Sequence, residues 1–306
     1  MAVFSTPGWQ EHVHDNTTKT STNEIFILKA PGEFYLDDWM KILSLVIVGI
    51  GLVGNSLVLW LLGFRIKRNP FSVYILNLAG ADALFLCCSF LFFILAFVGY
   101  SYNSFICLGL MCLRTVSYTV GMNLLAVIST ERCLSALFPI WYQCYRPKHT
   151  SAIICTVLWA GAGLVWLGFY VLCVDSLTDR ICYNSLIALN VWFLFLTCVL
   201  CVSSLTLLLR VQCTSQRQQP PRLYLLVLVT VLVFLICGLP VGIVGFMWRF
   251  YNIPILLWLP LLLAYVNSGM NPFIYFFLGS QRHRREREAL RVVLQRALED
   301  QQELGD

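Results

Sequence analysis

Seven continuous apolar runs constrain this chain: Ile42–Phe64, Phe71–Val98, Phe105–Leu137, Ser151–Leu172, Tyr183–Leu209, Leu223–Trp248 and Ile253–Leu278. A helix of about 20 apolar residues crosses the ~30 Å hydrocarbon layer of a membrane. The runs are unbroken rather than alternating, the pattern of spanning helices and not of barrel strands. Only 12% of the residues are charged, and mean hydropathy is +0.75. A soluble domain carries roughly 25% charge. The expected fold is an all-α membrane protein, a seven-transmembrane helix bundle. Arg282 to Leu298 is charged, with Leu290, Leu294, Ala297 and Leu298 at helical spacing. It reads as a short cytoplasmic amphipathic helix at the membrane interface.

The expected layout is an N-terminal tail over 1–41, a spanning domain over 42–279, and a cytoplasmic amphipathic helix and tail over 280–306. Of the 21 Lys and Arg residues, six (Lys19, Lys29, Lys41, Arg114, Arg180, Arg249) lie outside one side of the bundle. The other fifteen gather at the ends of spans one, three and five and in the C-terminal tail. Basic residues mark the cytoplasmic side. An extracellular N-terminus and a multi-pass plasma-membrane location follow. The same bias accounts for the net charge of +5 without nucleic-acid binding. No cleavable signal pattern precedes Lys41, so the first span is expected to act as an uncleaved signal. Asn16-Thr17-Thr18 is a glycosylation sequon on the extracellular side.

Polar residues inside apolar helices are expensive and point to function or to interhelical hydrogen bonds. Asn55 follows Gly54 in span one, where a glycine allows close helix approach. Asp82 is the only acid well inside a span. It reads either as a site partnered by polar groups, water or a cation, or as a protonated carboxyl in a helix–helix hydrogen bond. Span three holds Arg114 and Arg132, eighteen residues apart. That is about five turns, or roughly 27 Å, so the two arginines share one face near opposite ends. Arg114 reads as a pocket residue or as an arginine that snorkels or pairs within the bundle. Trp159 in span four reads as packing before recognition. Pro240 lacks an amide donor and is expected to kink span six. Span seven gathers Asn267, Asn271, Pro272 and Tyr275.

Other classes lack their residues. There is no nucleotide loop, zinc motif or G-x-S-x-G elbow, so neither enzyme activity nor a cofactor is expected. The four histidines lie outside the spans without metal-ligand spacing, and no metal is expected. A retinal Schiff base needs a lysine in span seven, and none is present. No internal repeat is visible, which weakens a duplicated transporter. Most of the 13 cysteines lie in spans as small apolar residues.

Gly54-Asn55, Leu78-Ala79-x-Ala81-Asp82, Glu131-Arg132-Cys133, Trp159, Pro240 and Asn271-Pro272-x-x-Tyr275 occur in order, each on its own span. Over residues ~42–298 this resembles a rhodopsin-like G-protein-coupled receptor. Ile128-Ser129-Thr130-Glu131-Arg132-Cys133-Leu134-Ser135, Phe138-Pro139-Ile140-Trp141-Tyr142 and Leu235-Ile236-Cys237-Gly238-Leu239-Pro240 are similar to the Mas-related receptor family. That family has Glu-Arg-Cys at the end of span three. It lacks a tryptophan two residues before the span-six proline, where Gly238 stands here.

The resemblance implies a receptor for an extracellular peptide or small molecule, coupled to heterotrimeric G proteins of the Gq or Gi class. Sensory, itch/pain or mast-cell signalling is the implied setting, with a constitutively active or non-signalling decoy as the alternative. It assigns coupling and activation to Glu131, Arg132, Cys133, Pro240, Asn271, Pro272 and Tyr275, with Arg132 pairing with Glu131 at rest. Asn55, Asp82 and Asn267 form the implied polar core, where Gly121 supplies no hydroxyl. The ligand is expected between spans three, five, six and seven, against Arg114, Ser117, Tyr118, Trp192, Phe246, Trp258 and Tyr265. Many relatives bind cations through acids at positions that align with Phe169 and Leu186, so the expected ligand group is anionic or carbonyl-rich. Asp175 and Asp179 are loop acids able to attract a basic peptide or simply solvated. The resemblance implies a Cys173–Cys182 disulfide, with Cys107–Cys182 as the alternative.

Overall fold

The computed structural model describes residues 33–65, 70–98, 105–138, 140, 142, 144, 146–147, 149–174, 179–214, 229–238 and 258–280. Asn16, Pro240, Phe246 and the expected cytoplasmic helix lie outside the described residues, as does the side chain of Trp258. The chain divides into two compact units, 1–38 and 39–306, and every contact below lies within the second.

Among the described residues the fold is all helical, with no strand. Helix α1 spans Glu33–Trp60 and continues as a π turn over Leu61–Arg65. Helix α2 spans Pro70–Phe97, α3 Phe105–Leu137, α4 Thr150–Val174 and α5 Asp179–Thr214. Helix α6 is described over 229–238, of which Phe234–Gly238 is π-helical, and α7 spans Trp258–Ser280. Helices α1 to α5 each contain a stretch long and apolar enough to cross a membrane.

The boundaries follow local chemistry. Pro70 opens α2, where its missing amide would be unsatisfied anyway. Helix α1 begins at Glu33, ahead of the apolar run. Helix α6 is π-helical over Phe234–Gly238, the last residues described before the expected kink at Pro240.

The interior is built from Val58, Leu62, Tyr74, Ile75, Leu78, Leu124, Leu200 and Tyr275, all fully or nearly fully buried. Helices α1 and α7 meet almost backbone to backbone. A Cβ at Gly51 would stand 2.9 Å from the Cα of Gly269, and one at Gly54 would stand 3.2 Å from the Pro272 ring. Small residues permit this approach, which packs helices in a lipid solvent. Helix α4 is tied in by its tryptophans. Trp159 donates to Asn77 on α2 at 3.2 Å, and Trp166 donates to Thr119 on α3 at 2.8 Å. Ser129 on α3 and Ser203 on α5 share a hydrogen bond of 2.7 Å.

Cys173 near the end of α4 and Cys182 in the first turn of α5 form a disulfide, with Cα atoms 5.5 Å apart. That separation lies within normal disulfide reach. The alternative pairing of Cys107 with Cys182 is therefore set aside, because Cys182 is already bonded. Cys107 is buried at the start of α3.

Candidate functional site

Three groups of the singled-out residues can be followed along the bundle. The first is the polar core. Asn55, Asp82, Asn267, Ser268 and Asn271 are all buried. Asn271 on α7 donates to the Asp82 carboxyl on α2 at 2.7 Å. Asn55 on α1 donates to the Gly51 carbonyl of its own helix and to the Ser268 carbonyl of α7, both at 3.0 Å. A Cβ at Gly121 would lie 3.6 Å from Asp82 Oδ1, in ordinary contact. Three helices thus converge on amide and carboxyl groups that lipid could not solvate. Pro272, also buried, lies one residue further along α7. Tyr275 completes the turn. Its hydroxyl is buried and meets no hydrogen-bond partner among the described residues. A small cavity beside it is lined by Ile75, Leu78, Leu125, Ile128, Thr230 and Val231.

The second group is the end of α3 with the loop that follows it. Arg132 is only 2% exposed, and its guanidinium carbon lies 3.7 Å from the centre of the Phe71 ring on α2. This is a close cation–π contact. Glu131 is engaged elsewhere. Its carboxylate accepts from Tyr74 at 3.3 Å, from Tyr142 at 2.5 Å and from Arg146 Nε at 3.1 Å. The resemblance implied a Glu131–Arg132 pair; among the described residues Glu131 forms an ion pair with Arg146. Adjacent residues on a helix point about 100° apart, so Glu131 can face Tyr74 and the loop while Arg132 faces Phe71. Tyr142 lies outside the membrane-spanning segments. Burial, the hydrogen bond to Glu131 and its charge hold the phenol well above its ordinary value of 10.0, so it remains a donor. Cys133 is half-buried.

The third group is the expected ligand site, which the bundle assembles differently. The Arg114 guanidinium carbon lies 5.1 Å from the centre of the Phe92 ring, so this side chain turns toward α2. Tyr118, one turn along, packs on Phe85 with ring centres 5.2 Å apart. Tyr265 on α7 packs on the same Phe85 at 5.6 Å and on Phe93 at 6.2 Å. Arg114, Tyr118 and Tyr265 therefore belong to a region between α2, α3 and α7. Ser117 is buried and donates to the Leu113 carbonyl of its own helix at 2.6 Å. Trp192 does not join them. It is 48% exposed and packs on Phe195 of its own helix. Among the described residues no carboxylate pairs with Arg114, and no cluster of His, Cys, Asp or Glu has the makings of a metal site.

Sequence reasoning missed Phe71, Tyr74, Phe85, Phe92 and Phe93 in these groups, and Ser151 at the start of α4, which accepts from Arg146 Nη2 at 2.7 Å. All but Ser151 are α2 residues inside a uniformly apolar run, where spacing carries no sign of which face is inward.

The family profile of the 7 transmembrane receptor (rhodopsin family) matches residues 54–275. A Mas-related G-protein coupled receptor member A from Rattus norvegicus is 44% identical over 290 residues, covering 90% of this chain and 94% of that protein. The chain belongs to the Mas-related G-protein-coupled receptors. Member X1 from Homo sapiens is 43% identical over 87% of the receptor and 85% of its own length, and member X2 from Homo sapiens is 41% identical over 97% and 92%. The receptor is accordingly a multi-pass membrane protein with a ligand and a G protein as partners, and not an enzyme. The matched region begins at Gly54 and ends at Tyr275, so it contains the polar core and the Glu131–Arg132 region.

Proposed function

We propose that this receptor binds an extracellular peptide or small-molecule agonist between its helices and activates heterotrimeric G proteins of the Gq or Gi class. Its N-terminus is extracellular and its setting is sensory, itch/pain or mast-cell signalling. The observation that carries the coupling half is the buried Arg132 at one end of α3. Charge at membrane depth is costly and is kept where a second state uses it. In that second state Arg132 leaves Phe71 and meets the G protein, with Asn271, Pro272 and Tyr275 allowing α7 to rearrange around the Asp82 hydrogen bond.

The agonist end lies about five turns away along α3. Arg114 there faces an aromatic ring, which meets the positive charge but accepts no strong hydrogen bond. Its guanidinium carries five N–H donors that suit a carboxylate or a carbonyl-rich group. The agonist therefore carries an anionic or carbonyl-rich group that reaches Arg114, flanked by Tyr118 and Tyr265. The test is G-protein activation in cells expressing wild type and Arg114→Ala at matched surface levels, against panels of anionic small molecules and of basic peptides. An anionic agonist that acts on wild type alone supports the reading. A basic peptide equally active on both makes Arg114 structural and moves attention to Asp175 and Asp179. Silence from both panels with good expression favours the decoy reading.

A further inference from the structure

Ser129, on the side of α3 that meets α5, stands between two successive hydroxyls of α5. Its oxygen lies 2.7 Å from that of Ser203 and 3.4 Å from that of Ser204, and all three side chains are buried. A hydroxyl has one proton and two lone pairs. Ser203 gives its proton to the Val199 carbonyl of its own helix at 2.8 Å. Ser129 is therefore the donor to Ser203. The Ser129 lone pairs are left for Ser204, which at 3.4 Å is in reach but beyond the usual O–H···O length. One bond is made and a second is half made. A similar link recurs one turn along α3. Thr206 donates to the Val202 carbonyl at 2.8 Å and is hydrogen-bonded to the thiol of Cys133, the residue after Arg132.

Burial resists rotation of α5 only weakly. Val191, Leu194, Phe195, Val202 and Leu205 are exposed, and an apolar side chain loses little between lipid and a neighbouring helix. No proline interrupts α5, so it turns as one rod. Successive residues point about 100° apart, so a rotation of roughly 40° lengthens the Ser203 contact and closes the Ser204 one. The number of hydrogen bonds is then unchanged. The disulfide at Cys182 fixes the first turn of α5. From Cys182 to Ser203 is about 21 residues, or roughly 31 Å. Spread over that length the rotation is about 2° per residue, inside the normal scatter of helical dihedrals.

We propose that Ser129 is a positioning residue for coupling, whose hydrogen bond passes from Ser203 to Ser204 as α5 turns between two states. The inference rests on the coupling reading above. The Ser203 bond belongs to the state in which Arg132 rests on Phe71. The Ser204 bond belongs to the state that meets the G protein. Two arrangements with equal bonding make a bistable element, which a ligand or partner can bias.

The test uses the full-length receptor in lipid nanodiscs, as wild type, Ser129→Ala, Ser203→Ala, Ser204→Ala, and Ser129→Ala combined with each of the other two. Two quantities are read. One is receptor-catalysed nucleotide exchange on purified Gi and Gq heterotrimers without added agonist. The other, without any G protein, is the fluorine NMR signal of trifluoromethyl-phenylalanine introduced at Leu209, an exposed position further along α5. Ser203→Ala is expected to raise nucleotide exchange about fivefold, and Ser204→Ala to lower it by a similar factor, the worth of one net hydrogen bond. The fluorine signal moves in opposite directions in the two variants. Both are serine-to-alanine changes at adjacent positions of one helix, so the propensity gain is common to both and cancels in the comparison. Once Ser129 is alanine, the opposition disappears, because the two serines have lost the partner they share. Ser203→Thr keeps the hydroxyl and stays near wild type in both readouts. Ser203→Ala and Ser204→Ala shifting both readouts in the same direction, or opposing each other equally well without Ser129, overturns the proposal. A wild type inert toward both heterotrimers contradicts the coupling reading, and the fluorine signal then decides the exchange of partners by itself.

Discussion

Asn271 on α7 reaches the Asp82 carboxyl on α2 across 2.7 Å, in a site where both residues are almost fully buried. This bond joins elements 189 positions apart in the chain. Replacing Asn271 with Ala removes one donor from a buried carboxyl that Ser268 also bonds, which costs about 1–3 kcal/mol. The expected outcome is a clear fall in thermal midpoint and surface expression. Asp82→Asn keeps a hydrogen-bonding group of the same shape and is expected to cost less. Thermal unfolding of the two purified variants gives the comparison.

Gly51 and Gly269 set the distance between α1 and α7. A Cβ at Gly51 would meet backbone at 2.9 Å, and backbone cannot step aside as a side-chain tip can. Gly51→Ala is expected to destabilise by about 1–3 kcal/mol, the range for overpacking. Gly49→Ala is the control, because nothing lies within 4 Å of a Cβ there. Similar melting of the two variants would remove the close approach from the account.

Gly121 is the converse case. Its added Cβ would sit 3.6 Å from Asp82 Oδ1, so Gly121→Ser fits and places a hydroxyl within reach of that carboxyl. A stabilisation of about 1 kcal/mol is expected, from one net hydrogen bond and from the better helix propensity of serine. A lower melting temperature for Gly121→Ser would show that the space is not there.

Much of this architecture was legible in the sequence, for a physical reason. Unbroken apolar runs define spanning helices because lipid forbids unsatisfied backbone, so all seven were visible without side-chain detail. Asn55, Asp82 and Asn271 stood out as polar groups in apolar helices, and they meet neighbouring helices in the interior. Rotation of the helices was not legible. Helix α5 is apolar on every side, so spacing offers no inward face, and Trp192 turns out half-exposed. Arg114 shares a face with Tyr118 as its spacing requires, but only the packing of α2 shows that this face meets Phe92 and Phe85. The Glu131 network was hidden for another reason. Tyr74, Tyr142, Arg146 and Ser151 come from two helices and a loop, and no periodicity connects them.

The Tyr142 hydroxyl is expected to leave the loop insensitive to pH through the neutral range. Burial and Glu131 raise its pKa above the ordinary 10.0, so the folded state favours the protonated phenol. A raised folded value means that the contribution is fully present below the unfolded pKa and is lost as pH rises through the folded one. Between pH 6 and 9 the ratio of loop hydrogen exchange in Tyr142→Phe to that in wild type is therefore expected to stay constant. A ratio that collapses within that range would show the hydroxyl ionising there, and Tyr142 would not be the donor to Glu131.

The most direct measurement is nucleotide exchange on purified Gi and Gq heterotrimers by wild type and Arg132→Ala receptor in nanodiscs, with the anionic and basic panels present. The expected result is exchange by wild type above that of empty nanodiscs on at least one heterotrimer, with Arg132→Ala at the empty level. Wild type indistinguishable from empty nanodiscs on both heterotrimers and across both panels, or Arg132→Ala as active as wild type, would contradict it.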